Sequence, residues 1–214
     1  MRPTVLALLV ATAGLLPGTS RQAFAEPSPS PSSAPQSAPA SAPPSAPSPE
    51  SDSAGQMGFT SADFEAYGPG ADAVTYNPKL VPVGSQVTVL STARPDGRTS
   101  VMLTVHGLLP NRAYGAHVHQ KHCGPKGDDA GPHYQHVADP VQPSVNPAYA
   151  NPRNEIWLDF TTDKDGNASA SSTVAWQFSR TLPGSVVVHS ERTHTEPGHA
   201  GMAGDRLACV NVDF

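Results

Sequence analysis

Positive charge is scarce in this chain of 214 residues: 13 lysines and arginines stand against 18 aspartates and glutamates. So few cations cannot build a basic patch, which excludes nucleic acid as a partner and sets an acidic surface against anionic lipid. Long apolar runs are missing too. Beyond the first 25 residues no stretch is long enough to span a bilayer, so no membrane insertion is expected of the mature chain. Sustained helical periodicity is also absent, which argues against a helical fold. Cysteine occurs only as Cys123 and Cys209.

The beginning of the chain has its own chemistry. Arg2 gives a short basic start, residues 5–16 are apolar and Ala23-Phe24-Ala25 is a small-x-small cleavage site, so residues 1–25 read as a secretory signal peptide. No cysteine follows the apolar run, which argues against a lipid anchor. Residues 26–56 are almost wholly Pro, Ser and Ala, a composition that buries too little apolar surface to offset its ordering entropy. A disordered linker is expected there, a spacer suited to cell-wall association. Loss of Arg2 and Arg21 with the leader leaves 11 basic residues against 18 acidic ones. In a secreted or cell-surface protein the two cysteines are expected to pair, a cross-link worth roughly 4 to 5 kcal/mol in the chain-entropy account; two unpaired buried thiols are the alternative.

From residue 57 to residue 214 short runs rich in Val, Thr and Ala alternate with Gly, Pro, Asn and Asp. The pattern predicts strands over 60–67, 73–76, 86–92, 99–109, 114–119, 155–162, 168–176, 185–189 and 207–212, and hence an all-β antiparallel sandwich or barrel. Pro95-Asp96-Gly97 and Lys164-Asp165-Gly166 look like hairpin tips. Asp163-Lys164-Asp165-Gly166 is also similar to the start of a calcium loop, but the acidic residue that closes such a loop is missing. Asn167-Ala168-Ser169 is a formal glycosylation sequon. Two long irregular stretches, 119–153 and 190–205, interrupt the strands, and loops of that length in compact domains are usually functional or disordered.

Histidines gather around these loops. In Ala116-His117-Val118-His119 two imidazoles sit two residues apart, which places both on one face of a strand. His133 follows in Gly131-Pro132-His133, where a permissive glycine and a rigid proline can hold a third ring against the first two. Val186-Val187-Val188-His189 ends a β-branched run in a fourth. Four imidazoles without a thiolate suit divalent copper.

His-Val-His, then Gly-Pro-His, then Val-Val-His, then Gly204-Asp205-Arg206-Leu207-Ala208-Cys209 occur in the order and near the spacing of the copper/zinc superoxide dismutases, which this chain resembles over roughly residues 86–214. The resemblance implies a Greek-key β-sandwich of about eight strands with a metal site under two long loops, a fold the family is known for. It implies copper on His117, His119, His133 and His189, superoxide as substrate, and dioxygen and hydrogen peroxide as products. Arg206 matches the residue that attracts the anion, a permanent cation beside an open metal position. A carboxylate such as Asp205 is the ordinary partner against which that role is weighed.

The zinc half departs from the family. Only His136 follows His133, three residues on, and Asn154-Glu155-Ile156-Trp157 stands about where the family has its last histidine and aspartate. His133, His136, Asp139 and Glu155 are what an improvised zinc site could draw on. Thr193 stands where the family has an aspartate linking the two metals, which leans the reading toward copper alone. His106, His122, His194 and His199 match no ligand position and are expected at the surface. A copper-binding or copper-delivery protein without turnover is the competing reading, and Arg206 favours the enzyme.

Overall fold

The computed structural model describes residues 57–178 and 181–214; the leader and linker expected at 1–25 and 26–56 lie outside the described residues. Nine strands follow one another among the described residues: β1 (Met57–Asp63), β2 (Ala73–Thr75), β3 (Gln86–Ala93), β4 (Thr99–His106), β5 (Ala113–His119), β6 (Phe160–Thr161), β7 (Ala168–Val174), β8 (Ser185–His189) and β9 (Arg206–Asn211). They form two antiparallel sheets, one ordered β1-β3-β4-β7 and the other β2-β9-β8-β5-β6. Because β4 and β7 are neighbours while the intervening β5 and β6 belong to the second sheet, the chain crosses between layers as a Greek-key sandwich does.

Alternation explains the first sheet. On β3 and β4 the residues Val87, Val89, Val101, Leu103 and Val105 point inward and are buried, while Thr88, Leu90, Ser100, Met102 and Thr104 between them point out. The turn at Pro95-Asp96-Gly97 is the expected hairpin, closed by Arg94 N–H donating to the Arg98 carbonyl at 2.8 Å. The turn at Lys164-Asp165-Gly166 instead carries the chain from β6 in one sheet to β7 in the other. There the Asp163 side chain accepts the backbone N–H groups of Asp165 and Asn167 at 2.8 and 2.9 Å, so this carboxylate caps a turn.

The second sheet is buried on both faces over β5 and β8. Ala116, Val118, Val186 and Val188 join the main core between the sheets. The opposite face, carrying His117, His119, Val187 and His189, is covered by the long loops. A β-carbon at Gly115 would lie 2.5 Å from the Glu191 carbonyl oxygen and 2.8 Å from Ala203 Cβ, so the second loop rests directly on β5. Cys123 and Cys209 form a disulfide that ties the first loop to β9, and the alternative of two free thiols falls. No helix among the described residues is long and apolar enough to cross a membrane.

The strand expected over 155–162 contracts to Phe160–Thr161. Ile156, Leu158 and Phe160 alternate into the core, but the side chains between them are engaged by the histidine cluster, and only a bridge from Trp157 to His117 continues the ladder.

Candidate metal centre

Four imidazoles converge on the loop-covered face. His117 and His119 alternate out of β5, His189 ends β8 opposite Gly115, and His133 is brought in by a backbone bridge between the first loop and His119. One ligand atom from each ring lies within 4.8 Å of all the others. Ring centroids range from 4.0 Å for His117 and His133 to 6.4 Å for His117 and His119.

Each ring is tethered by the nitrogen that does not serve the cluster. His119 donates from Nδ1 to the Gly131 carbonyl at 2.9 Å, and His189 Nδ1 lies 3.5 Å from the Gly204 carbonyl. His133 donates from Nδ1 to Glu155 Oε2 at 2.8 Å. His117 is held through Nε2, 2.6 Å from Thr193 Oγ1; since that hydroxyl gives its proton to Asp159 Oδ1 at 2.6 Å, it accepts from the imidazole. These tethers assign the tautomers, leaving a lone pair on Nε2 of His119, His133 and His189 and on Nδ1 of His117.

His117 Nδ1 is buried without a hydrogen-bond partner. An orphaned acceptor at the centre of four facing nitrogens is costly unless an ion completes it. Burial, reinforced by the neighbouring imidazoles, lowers the pKa values of His117 and His119 well below the ordinary histidine value, and the same causes bring His189 to about 3. These three rings therefore stay neutral, the state in which imidazole binds metal.

The copper/zinc superoxide dismutase model matches residues 83–212. The chain belongs to the copper/zinc superoxide dismutase family. No curated protein matches it. Among solved structures it is similar to a double mutant of a SOD-like protein from Bacillus subtilis, at 17% identity and a TM-score of 0.47 over 60% of this chain and 90% of that one. It is also similar to the clock protein EA4, at 17% identity and a TM-score of 0.48 over 73% of this chain and 92% of that one.

Within this superoxide dismutase fold the residues considered for zinc are dispersed. Of His136, Asp139 and Glu155, only Glu155 reaches His133 by a hydrogen bond. His136 lies flat on Trp176 at 4.9 Å and 6°, and Asp139 accepts from Ser144 at 2.8 Å. Among the described residues the four-histidine group is the one cluster of His, Cys, Asp and Glu with metal-binding spacing. Glu155 is 1% exposed and accepts three N–H donors: His133 Nδ1, Trp157 Nε1 at 2.7 Å and Gln135 Nε2 at 2.8 Å. The carboxylate thus occupies the outer nitrogen of His133.

Arg206 begins β9 beside the cluster. Its Nη1 donates to the carbonyls of Gly127 and Gly131 at 2.9 and 2.8 Å, and its Nε lies 3.7 Å from Asp128, not Asp205. The partner carboxylate is almost fully exposed, so that ion pair is weak. A cavity of about 390 Å³ opens here, lined by His133, His189 and Arg206 together with Pro132 and Met202. The sequence reading missed Asp159 and the tether role of Glu155. The signal available was their alternation with Trp157, three polar or aromatic residues on one face of a predicted strand.

Proposed function

We propose that the chain is an exported superoxide dismutase that works with copper alone, held by His117, His119, His133 and His189. The observation carrying this reading is the set of four inward lone pairs, one of them on an otherwise orphaned buried nitrogen. Bound there, copper supplies the one-electron redox chemistry by which one superoxide becomes dioxygen and a second, with two protons, becomes hydrogen peroxide.

The protein's share is access, field and the orientation of the ligands. Arg206, at the cavity wall in a net acidic chain, gives the local positive charge that an approaching anion needs. His133 is the ring whose role differs most from the family's. In the family this ring bridges two metals; here its Nδ1–H is donated to Glu155, so Nε2 alone is left to bind copper, on a side chain 16% exposed at the cavity. Asp159 and Thr193 hold His117 in the tautomer that aims Nδ1 inward. Export is supported by the leader-like start and by the disulfide, a bond kept in oxidising compartments.

Metal analysis of purified protein, paired with a superoxide-consumption assay, tests the reading. One copper per chain with turnover is expected; binding without turnover would leave a copper carrier, and stoichiometric zinc would remove the copper-alone claim. Arg206→Ala should keep copper and lose most of the rate and its salt dependence. An unchanged rate at low ionic strength would refute the guiding role.

A further inference from the structure

The cavity beside the four imidazoles is far larger than a two-atom anion needs. It holds about 390 Å³, within the range of roughly 300 to 1,000 Å³ in which proteins take organic ligands. A water molecule's share of the liquid is only about 30 Å³. The sequence leaves the space open. From the second loop it is lined by Gly201-Met202-Ala203-Gly204, where three of the four residues have almost no side chain to fill it. From the first loop come Pro132 and residues 142–145. Gly198 N–H donates to the Val145 carbonyl at 3.1 Å, which ties the two loops together.

Polar groups of the lining are mostly committed to one another. Gln135 Nε2 serves Ser144 at 3.0 Å and Glu155 at 2.8 Å, and Ser144 in turn donates to Asp139 at 2.8 Å. Glu155 accepts three N–H donors, so its charge is already answered. Arg206 is different. Its Nη1 and Nε have protein partners, whereas its Nη2 has none among the described residues. The one cation of the lining therefore keeps N–H groups for a ligand.

We propose that the cavity binds a small organic monoanion, its charge on Arg206 Nη2 and its apolar body against Pro132, Pro143, Val145 and Met202. One unmatched cation answers a single negative charge, and the acidic remainder of the chain repels a second. Met202, 49% exposed at the cavity, is unbranched and polarizable, so it gains cover from a flat apolar group and adapts to its shape. His133 and His189 line the same space, so an anion seated there stands in the way of superoxide. That competition rests on the dismutase reading, whereas binding itself does not.

Benzoate, acetate and benzyl alcohol are the probes, titrated into the metal-free full-length chain and followed by NMR. Benzoate should bind at least about tenfold tighter than acetate, because about 60 Å² of its ring leaves water at about 25 cal/mol per Å². Benzyl alcohol, with the ring but no charge, should also trail benzoate by at least about tenfold. Met202→Ser should bring benzoate down toward acetate, and Arg206→Gln should bring it down toward benzyl alcohol, while circular dichroism of both variants stays unchanged. In the copper-loaded protein benzoate should halve the dismutation rate at a concentration within about threefold of its dissociation constant. The proposal is overturned by benzoate that binds no better than acetate, by benzyl alcohol that binds as well as benzoate, by a Met202→Ser chain that keeps the full preference, or by dismutation at full rate under saturating benzoate. A copper-loaded chain that binds benzoate yet consumes no superoxide would sink the dismutase reading and leave this site standing.

Discussion

Replacing Glu155 by glutamine keeps the shape of the side chain and removes its charge. In the native arrangement one carboxylate oxygen accepts from His133 and Trp157, and the other accepts from Gln135. A glutamine can present its oxygen to His133 and Trp157, but its amide then faces the Gln135 amide donor to donor across a gap of 2.8 Å. The reverse orientation is worse, because two donors lose their acceptor. With the residue 1% exposed, water cannot repair either mismatch. Leaving a buried donor unsatisfied costs about 1 to 3 kcal/mol, and loss of the charge-assisted bond to His133 adds to it.

Two measurements read that cost. The metal-free domain should melt roughly 2 to 10 °C lower, taking about 2 to 4 °C per kcal/mol for a domain of this size. Copper affinity, measured by competition with a chelator, should fall about 10- to 100-fold, because His133 loses both its orientation and the electron-releasing anion behind it. A variant that binds copper within about twofold of the parent would refute the tether role. In that event the Glu155 to His133 contact would be packing and no more.

Other consequences of the same geometry can be checked separately. Thr193→Ala strips the acceptor from His117 Nε2 and should lower copper affinity about tenfold or more, whereas Thr193→Ser should restore it; equal binding by both would remove the Asp159 relay. The metal-free protein should lose stability as pH falls below about 6.5. Unfolded histidines protonate there while His189, held to about 3, and the still more buried His117 and His119 do not, giving a slope of about 1.4 kcal/mol per pH unit for each ring; urea melts that are flat from pH 7 to pH 4 would contradict this. Replacing both Cys123 and Cys209 by serine opens a loop spanning 86 residues and should cost about 4 to 5 kcal/mol, seen as a melting temperature lowered by roughly 10 °C or more.

What could be read in advance was whatever the sequence writes locally. His-x-His on a strand, a glycine and proline ahead of His133, and alternating Val and Thr along β3 and β4 are short-range patterns, and each has its expected place. The tethers were illegible because their partners are remote. Glu155 meets Gln135 and His133, and Asp159 meets Thr193 from 34 positions away, a separation no periodicity records. Residues 155–159 also mix two tasks. Ile156 and Leu158 fill the core as a strand would, while Glu155, Trp157 and Asp159 turn to the cluster, so the alternation suggested a full strand where the structure has a site wall.

Gly131 is where the demands of binding and of guidance meet in one atom. Its carbonyl accepts from His119 Nδ1 at 2.9 Å and from Arg206 Nη1 at 2.8 Å, so the ring proposed to bind copper and the cation proposed to steer the anion share an acceptor. The carbonyl can face both because the backbone there has φ +72°, a conformation that strains any side chain. Proline next in line keeps the turn rigid just before His133. A change at either Arg206 or His119 therefore reaches the other through a shared hydrogen bond, and the effects of the two should not add. That coupling explains why the Arg206→Ala test needs copper content as well as rate: loss of rate at full copper occupancy isolates the field of the guanidinium, whereas loss of both reports the carbonyl released from its second donor.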